Sequence, residues 1–207
     1  MRFLITAGPT REYLDPVRYL SNASTGRMGA ALAEAAARAG HRVTLVLGPV
    51  EMPPPAVDDL VRVTSAREMF DAVADRFEAC DVLLAAAAVA DYRPAAPSVE
   101  KIKKGDGPLA LELEPTPDIL AEMARRRRPG QVLVGFCLES EDLEARAGAK
   151  LQAKNLDLVV ANPPAAIGAD RQDALLLRRD GSCERLVQVT KADLAGRILA
   201  AVASLAG

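Results

Sequence analysis

"GAALAEAAARAGHRVTLVL", residues 29–47, decides the fold. Its first half is alanine-rich and helix-forming, and Gly40 stands where a helix C-terminus favours glycine. "RVTLVL" at 42–47 is then a short, nearly unbroken apolar run, the pattern of a strand buried on both faces. A second such run, "RFLITA", lies upstream at 2–7. Strand, helix and strand in that order form a βαβ unit with parallel strands.

The pattern continues outward. "DLVRVT" (59–64) reads as strand, and "SAREMFDAVADRFEAC" (65–80) as a helix opened by Ser65 and Glu68 at capping-box spacing. "DVLLAAA" (81–87) is strand, and "LALELE" (109–114) alternates as a half-buried strand does. Thr116 and Pro117 fit the N-cap and first residue of a helix through "DILAEMARR" (118–126). "QVLVGF" (131–136), "LEARAGAKLQAK" (143–154) and "DLVVAN" (157–162) then read as strand, helix and strand. "ALLLRRDGSCERLVQV" (174–189) places two apolar runs around Asp180-Gly181, a hairpin, before a last helix, "KADLAGRILAAVASLA" (191–206). The expected architecture is a single α/β domain over 1–207. It has a Rossmann-like, mostly parallel sheet flanked by helices and a C-terminal β-hairpin. "RRRR" at 125–128 is expected to be a solvated helix end, where cations suit the dipole.

Composition narrows the function. The net charge is −2 and aromatics make up 3% of the chain, so neither a basic field nor a stacking platform for nucleic acid is present. Cys80, Cys137 and Cys183 form no CxxC, and His41 is the sole histidine, which leaves little for a zinc site or a His-based triad. Cys137 has no histidine partner in the sequence pattern and reads as core packing. "DVLLAAAAVAD" (81–91) is the longest apolar stretch, too short to span a bilayer, and the N-terminal run lacks the length of a signal segment. A cytoplasmic protein with no membrane or nucleic-acid partner is expected.

Ligands of open parallel sheets collect outside the carboxyl ends of the strands. The loops at those ends are long and polar. The first, "GPTREYLDPVRYLSNASTGRMG" (8–29), ends in a glycine-bearing helix start. That ending fits an anion held by backbone N–H groups, and it equally fits a simple helix entry. Arg18 and Asn22, four residues apart, can serve one site as charged clamp and amide donor. A dinucleotide fingerprint is absent: the spacing is not GxGxxG, and Gly48 stands where a ribose-binding acid belongs. No tyrosine has a lysine four residues later either, which disfavours an NAD(P) reductase. The second loop, "AAAAVADYRPAAPSVEKIKKGDGP" (85–108), carries small residues, Asp91, and then Lys101, Lys103 and Lys104. That lysine trio suits a solvated loop or the neutralisation of phosphate charge. "EPTPDIL" (114–120) and "GFCLES" (135–140) follow, with Lys150 and Lys154 an i,i+4 pair of like charge that an anionic ligand would justify.

Taken together, "ITAGPTREYLDPVRYLSNASTGRMG", "AAAAVADYRP", "EKIKK", "LELEPTPDIL", "VGFCLES" and "KNLDLVVANP" resemble, in order, the motifs of phosphopantothenoylcysteine synthetases. The resemblance covers residues 5 to about 163, with "RQDALLL" echoing a tail motif. It implies a ligase of coenzyme A biosynthesis that joins 4'-phosphopantothenate and L-cysteine through an acyl-cytidylate. CTP would be the co-substrate, Mg²⁺ would accompany it, and no flavin would be bound. The resemblance assigns Asn22, Arg18 and Lys101 to handling the intermediate. It assigns Ala85, Ala86, Ala87, Asp91, Lys101, Pro117, Asp118, Ile119, Leu120, Phe136, Lys150 and Lys154 to the nucleotide. It further implies a homodimer in which the lysine loop is a flap over the site. A chain that opens on this motif is expected to be free-standing and to work beside a separate phosphopantothenoylcysteine decarboxylase. Departures from the family pattern are "AGPT" for "AGGT", where Pro9 removes an N–H, "STGRMG" for "SSGKMG", and "ANPP" for "AND". The alternatives are a Rossmann-like NAD(P)-dependent reductase, against which the absent fingerprint counts, and a non-catalytic nucleotide-binding protein on the same fold.

Overall fold

A computed structural model describes residues 1–206. Strands β1 (Arg2–Ala7), β4 (Arg42–Leu47), β5 (Asp59–Arg62), β6 (Val82–Ala85), β9 (Val132–Leu138) and β10 (Leu158–Asn162) pair in parallel. β11 (Arg171–Arg178) and β12 (Cys183–Thr190) add an antiparallel hairpin at one edge. The order across the sheet is β12-β11-β10-β9-β6-β1-β4-β5. β1 and β4 pair in register from Arg2 opposite Arg42 to Ala7 opposite Leu47, as the βαβ reading requires. After β5 the chain returns to the other side of β1 as β6. The strand order therefore reverses beside β1, and a crevice opens outside the carboxyl ends of β1 and β6.

Alternation along the strands builds two cores. On one face Phe3, Ile5 and Ala7 of β1 pack with α1 (Arg27–Arg38) and α5 (Lys191–Leu205). On the other face Leu4 and Leu83 pack with α2 (Ala66–Phe77), α3 (Ile119–Arg126) and α4 (Leu143–Ala153). The helix signals are read locally. The Ser65 side chain accepts from the Glu68 N–H, and the Glu68 carboxylate accepts from the Thr64 N–H, one residue upstream of the reciprocal arm of a capping box. Thr190 accepts from Asp193 N–H to open α5. Among the described residues, no helix is long and apolar enough to cross a membrane.

Four expectations change in detail. The long first loop is folded: β2 (Arg11–Tyr13) and β3 (Tyr19–Ser21) form a small hairpin. Buried Glu12 anchors it by accepting from Ala66 N–H at the start of α2. "LALELE" yields strand only in β8 (Leu113–Pro115), which pairs with β7 (Tyr92–Pro94) and stands off the main sheet. Its three leucines are therefore exposed. α3 starts at Ile119 because Asp118, with its side chain accepting from Ala121 N–H, is the N-cap; Thr116 instead donates to Ala90 O. Of the four arginines at 125–128, the first two pair with Glu122 on the helix surface, while Arg127 and Arg128 bind loop carbonyls and carboxylates beneath the sheet.

Candidate active site

The crevice holds a cleft of about 760 Å³. Two glycines of "STGRMG" shape its wall. Gly26, at φ 75° in the left-handed region, turns the chain into α1 without the penalty a side chain would carry. A Cβ at Gly29 would stand 2.3 Å from that of Ala7, so only glycine lets the first turn of α1 lie on β1. The result is a helix N-terminus beside the end of the central strand. Pro9, for its part, breaks no pairing. The bridge there uses Gly8 O and Thr10 N–H on Ala88, and the proline nitrogen is not part of it.

Opposite this wall, Ala85, Ala86 and Ala87 leave β6 with minimal bulk, and the Ala87 N–H donates to Thr6 Oγ1. Asn22 joins the two walls: its Nδ2 donates to both Ala88 O and Val89 O at 3.1 Å. Its amide hydrogens are thereby committed to the backbone, and its Oδ1 is the group left for a ligand. Asp91, Pro117, Asp118, Ile119, Leu120 and Phe136 also line the cleft.

Lys150 and Lys154 enter from α4. Lys150 Nζ donates to Phe136 O at 2.5 Å, and Lys154 pairs with Asp118 at 2.8 Å. Burial, followed by the charge of Lys154, holds the Lys150 ammonium below the ordinary lysine range. Burial works to raise the Asp118 pKa, but the Lys154 hydrogen bond, the Ala121 N–H and the two lysine charges outweigh it, and the carboxyl titrates low. The like-charged pair is thus offset by one carboxylate, and a surplus cation faces the cleft. Cys137 is buried in the core under this corner, where burial pushes its thiol up.

The remaining predicted residues lie elsewhere. Arg18 and Lys101 are not in the cleft lining; both are exposed, Arg18 on the turn between β2 and β3 and Lys101 in the loop between β7 and β8. Conversely, the cleft contains a basic corner that sequence reasoning missed. Arg27 reaches toward Gly168 O and Asp170, and Lys191 Nζ donates to Ala166 O, Ala169 O and Gln172 Oε1. Burial and the neighbouring charge of Arg27 lower the Lys191 pKa. A signal existed: Lys191 directly follows a strand that ends on the same side as β10.

The chain as a whole is similar to known proteins. Residues 1–205 match the family model described as the DNA/pantothenate metabolism flavoprotein C-terminal domain. The chain is 44% identical over 207 residues to the coenzyme A biosynthesis bifunctional protein CoaBC of Bacillus subtilis, covering 98% of itself and 51% of that protein. It is 43% identical over 209 residues to a cysteine/cysteine sulfinic acid decarboxylase of an unknown prokaryotic organism, covering 99% of itself and 58% of that protein. It thus spans about half the length of the curated relatives it matches. The crystal structure of the C-terminal domain of a CoaBC superposes with a TM-score of 0.85 at 39% identity, covering 99% of this chain and 94% of that one. Nearly end-to-end agreement in sequence and fold leaves one conclusion: the chain belongs to the DNA/pantothenate metabolism flavoprotein C-terminal domain family.

Proposed function

We propose that the chain is a CTP-dependent phosphopantothenate–cysteine ligase. The observation that carries the reading is the cleft itself. It sits at the strand-order reversal, is floored by three alanines and one helix N-terminus, and is flanked by lysines at two corners, in a chain whose relatives include coenzyme A biosynthesis proteins. In the proposed first step a carboxylate oxygen of 4'-phosphopantothenate attacks the α-phosphorus of CTP, and pyrophosphate leaves. In the second, the amine of cysteine attacks the acyl carbon. CMP leaves with the former carboxylate oxygen, and a proton is released from the nitrogen. Neither step requires a histidine. Both require two anions to be held together, which cations and aligned N–H groups favour.

The roles combine the lining of the cleft with the family resemblance. Phe136 and Ala85–Ala87, which line the cleft, are assigned to the base, and Lys150 contributes charge to the phosphates. Asn22 Oδ1 faces the acyl group as an acceptor. Lys101 acts at the reacting phosphate when the lysine loop closes as a flap. The magnesium ion of the proposal belongs to the nucleotide. Among the described residues no three His, Cys, Asp or Glu side chains converge as ligands, and Asp118 and Glu139 are engaged by Lys154 and Arg146. A homodimer belongs to the same reading. The decarboxylase activity in one relative's name is said of that whole protein, of which this chain covers 58%.

Turnover with CTP against ATP, with 4'-phosphopantothenate and cysteine supplied, tests the proposal. Pyrophosphate release is expected with CTP, dependent on 4'-phosphopantothenate, and abolished in Lys101→Gln. Release from neither nucleotide would overturn it.

A further inference from the structure

Asp15 has no place in the chemistry above, yet its side chain is entirely shielded from solvent at the tip of the β2–β3 hairpin. Its two oxygens divide their work. Oδ1 accepts from the N–H groups of Val17 and Arg18, both at 2.8 Å, and so folds its own turn. Oδ2 accepts from Arg18 Nε at 2.9 Å and, from 87 residues away, from the Ile102 N–H at 3.1 Å. Arg18 completes the ring: its Nη2 lies 2.6 Å from Asp15 Oδ2 and donates to Ile102 O at 2.5 Å. Both backbone groups of Ile102 are therefore taken by side chains of one turn. A further bond, Ser98 N–H to Leu14 O at 2.8 Å, docks the start of the same loop on the same turn.

Ile102 is the middle residue of "KIK". Its side chain is partly buried, whereas Lys101 and Lys103 on either side are exposed. Fixing the peptide groups on both sides of Ile102 fixes the direction in which Lys101 leaves the chain. We propose that Asp15 is a positioning residue that, through Arg18, grips Ile102 by both backbone groups and thereby sets the placement of the Lys101 ammonium. The role given to Lys101 rests on the ligase reading; the grip itself does not. Arg18 is then part of the clamp, which accounts for its standing outside the cleft lining while neighbouring Lys101 in the fold. Lys104 through Gly107, beyond the grip, are exposed. Burial works against the Asp15 charge, but three backbone N–H donors and Arg18 outweigh it, and its carboxyl stays far below the usual carboxylate range. The carboxylate is consequently charged at neutral pH.

Limited trypsin digestion of the full chain tests the grip, because its target bond, Lys101–Ile102, lies inside it. In Asp15→Asn and, separately, in Arg18→Gln, which releases the Ile102 carbonyl and removes no cleavage site but its own, cleavage after Lys101 is expected to accelerate by about tenfold or more. Cleavage elsewhere and the circular dichroism should be unchanged, because opening is local. In the same variants pyrophosphate release from CTP is expected to lose about tenfold or more in kcat, with KM for CTP within about twofold. Unchanged cleavage after Lys101 in a folded Arg18→Gln variant would overturn the proposal even if Asp15→Asn fails to fold. So would faster cleavage with kcat intact. If the wild-type chain releases no pyrophosphate, the ligase reading fails, and the digestion alone decides whether the clamp exists.

Discussion

Lys150 is the residue whose physics bears most on ligand binding. Its ammonium is partly buried, feels the charge of Lys154, and donates to a single carbonyl, so the folded protein holds its pKa below the ordinary lysine value. The charged form exists below that lowered pKa and disappears as the pH rises through it, ahead of an exposed lysine. A triphosphate in the cleft loses one attractive charge over the same window, an effect of about 1 kcal/mol or about fivefold in affinity. Calorimetric titration of CTP from about pH 7 to about pH 10 is expected to show this weakening in the wild type and less of it in Lys150→Arg, whose guanidinium stays charged throughout, the remainder coming from Lys191. Residue chemistry was largely legible in the sequence here, since an uncompensated lysine pair at i,i+4 is a costly arrangement. The sense of Asn22 was not. It reads as an amide donor, and a donor it is, but to Ala88 O and Val89 O. Only the fold reveals that the loop after β6 comes back across β1 to claim those hydrogens.

At the scale of elements, capping chemistry and hydrophobic period located each α-helix and main-sheet strand of the described residues, because each signal involves neighbours within four residues; the short 3-10 turn at Pro164–Ala166 went unread. Errors arose where a distant partner decides. "LALELE" alternates, but its strand partner β7 is three residues long and carries it away from the sheet. The "RRRR" run ends a helix, yet two of its members serve Asp157, Asp81 and carbonyls from other loops. The join between β1 and α1 makes a quantitative test. Alanine at Gly29 would drive its Cβ into Ala7 and separate helix from strand. Overpacking of this kind costs about 1–3 kcal/mol, and each kcal/mol lowers Tm by about 2–4 °C in a chain of this size. A thermal melt of Gly29→Ala should register that drop, accompanied by weaker CTP binding, because the N–H groups at the helix start move off the cleft. A melt unchanged within a degree or so would mean that the helix start is not wedged against β1.

For the whole molecule, the doubly wound sheet and its antiparallel edge follow from the alternation of runs, and the strand-order reversal then places the cleft. What lay beyond sequence reasoning is how far Arg18 and Lys101 stand outside that cleft, since neither residue's motif encodes the direction of its loop. The same loop unit exposes Tyr92 (55%), Val99 (92%), Leu109 (59%) and Leu111 (42%), apolar side chains that the homodimer of the proposed function would cover. Sedimentation of the wild-type chain is expected to give a dimer, and of Leu109→Glu/Leu111→Glu a folded monomer. A monomeric wild type would remove the dimer from the account.

The central claim is that this cleft joins a carboxylate to the α-phosphorus of a nucleotide before an amine displaces it. Isotope transfer tests it most directly. With 4'-phosphopantothenate carrying ¹⁸O in its carboxylate, plus CTP and cysteine, the account predicts one labelled oxygen in the phosphate of the released CMP and none in pyrophosphate. Label in pyrophosphate or inorganic phosphate, or unlabelled CMP alongside amide product, would contradict it.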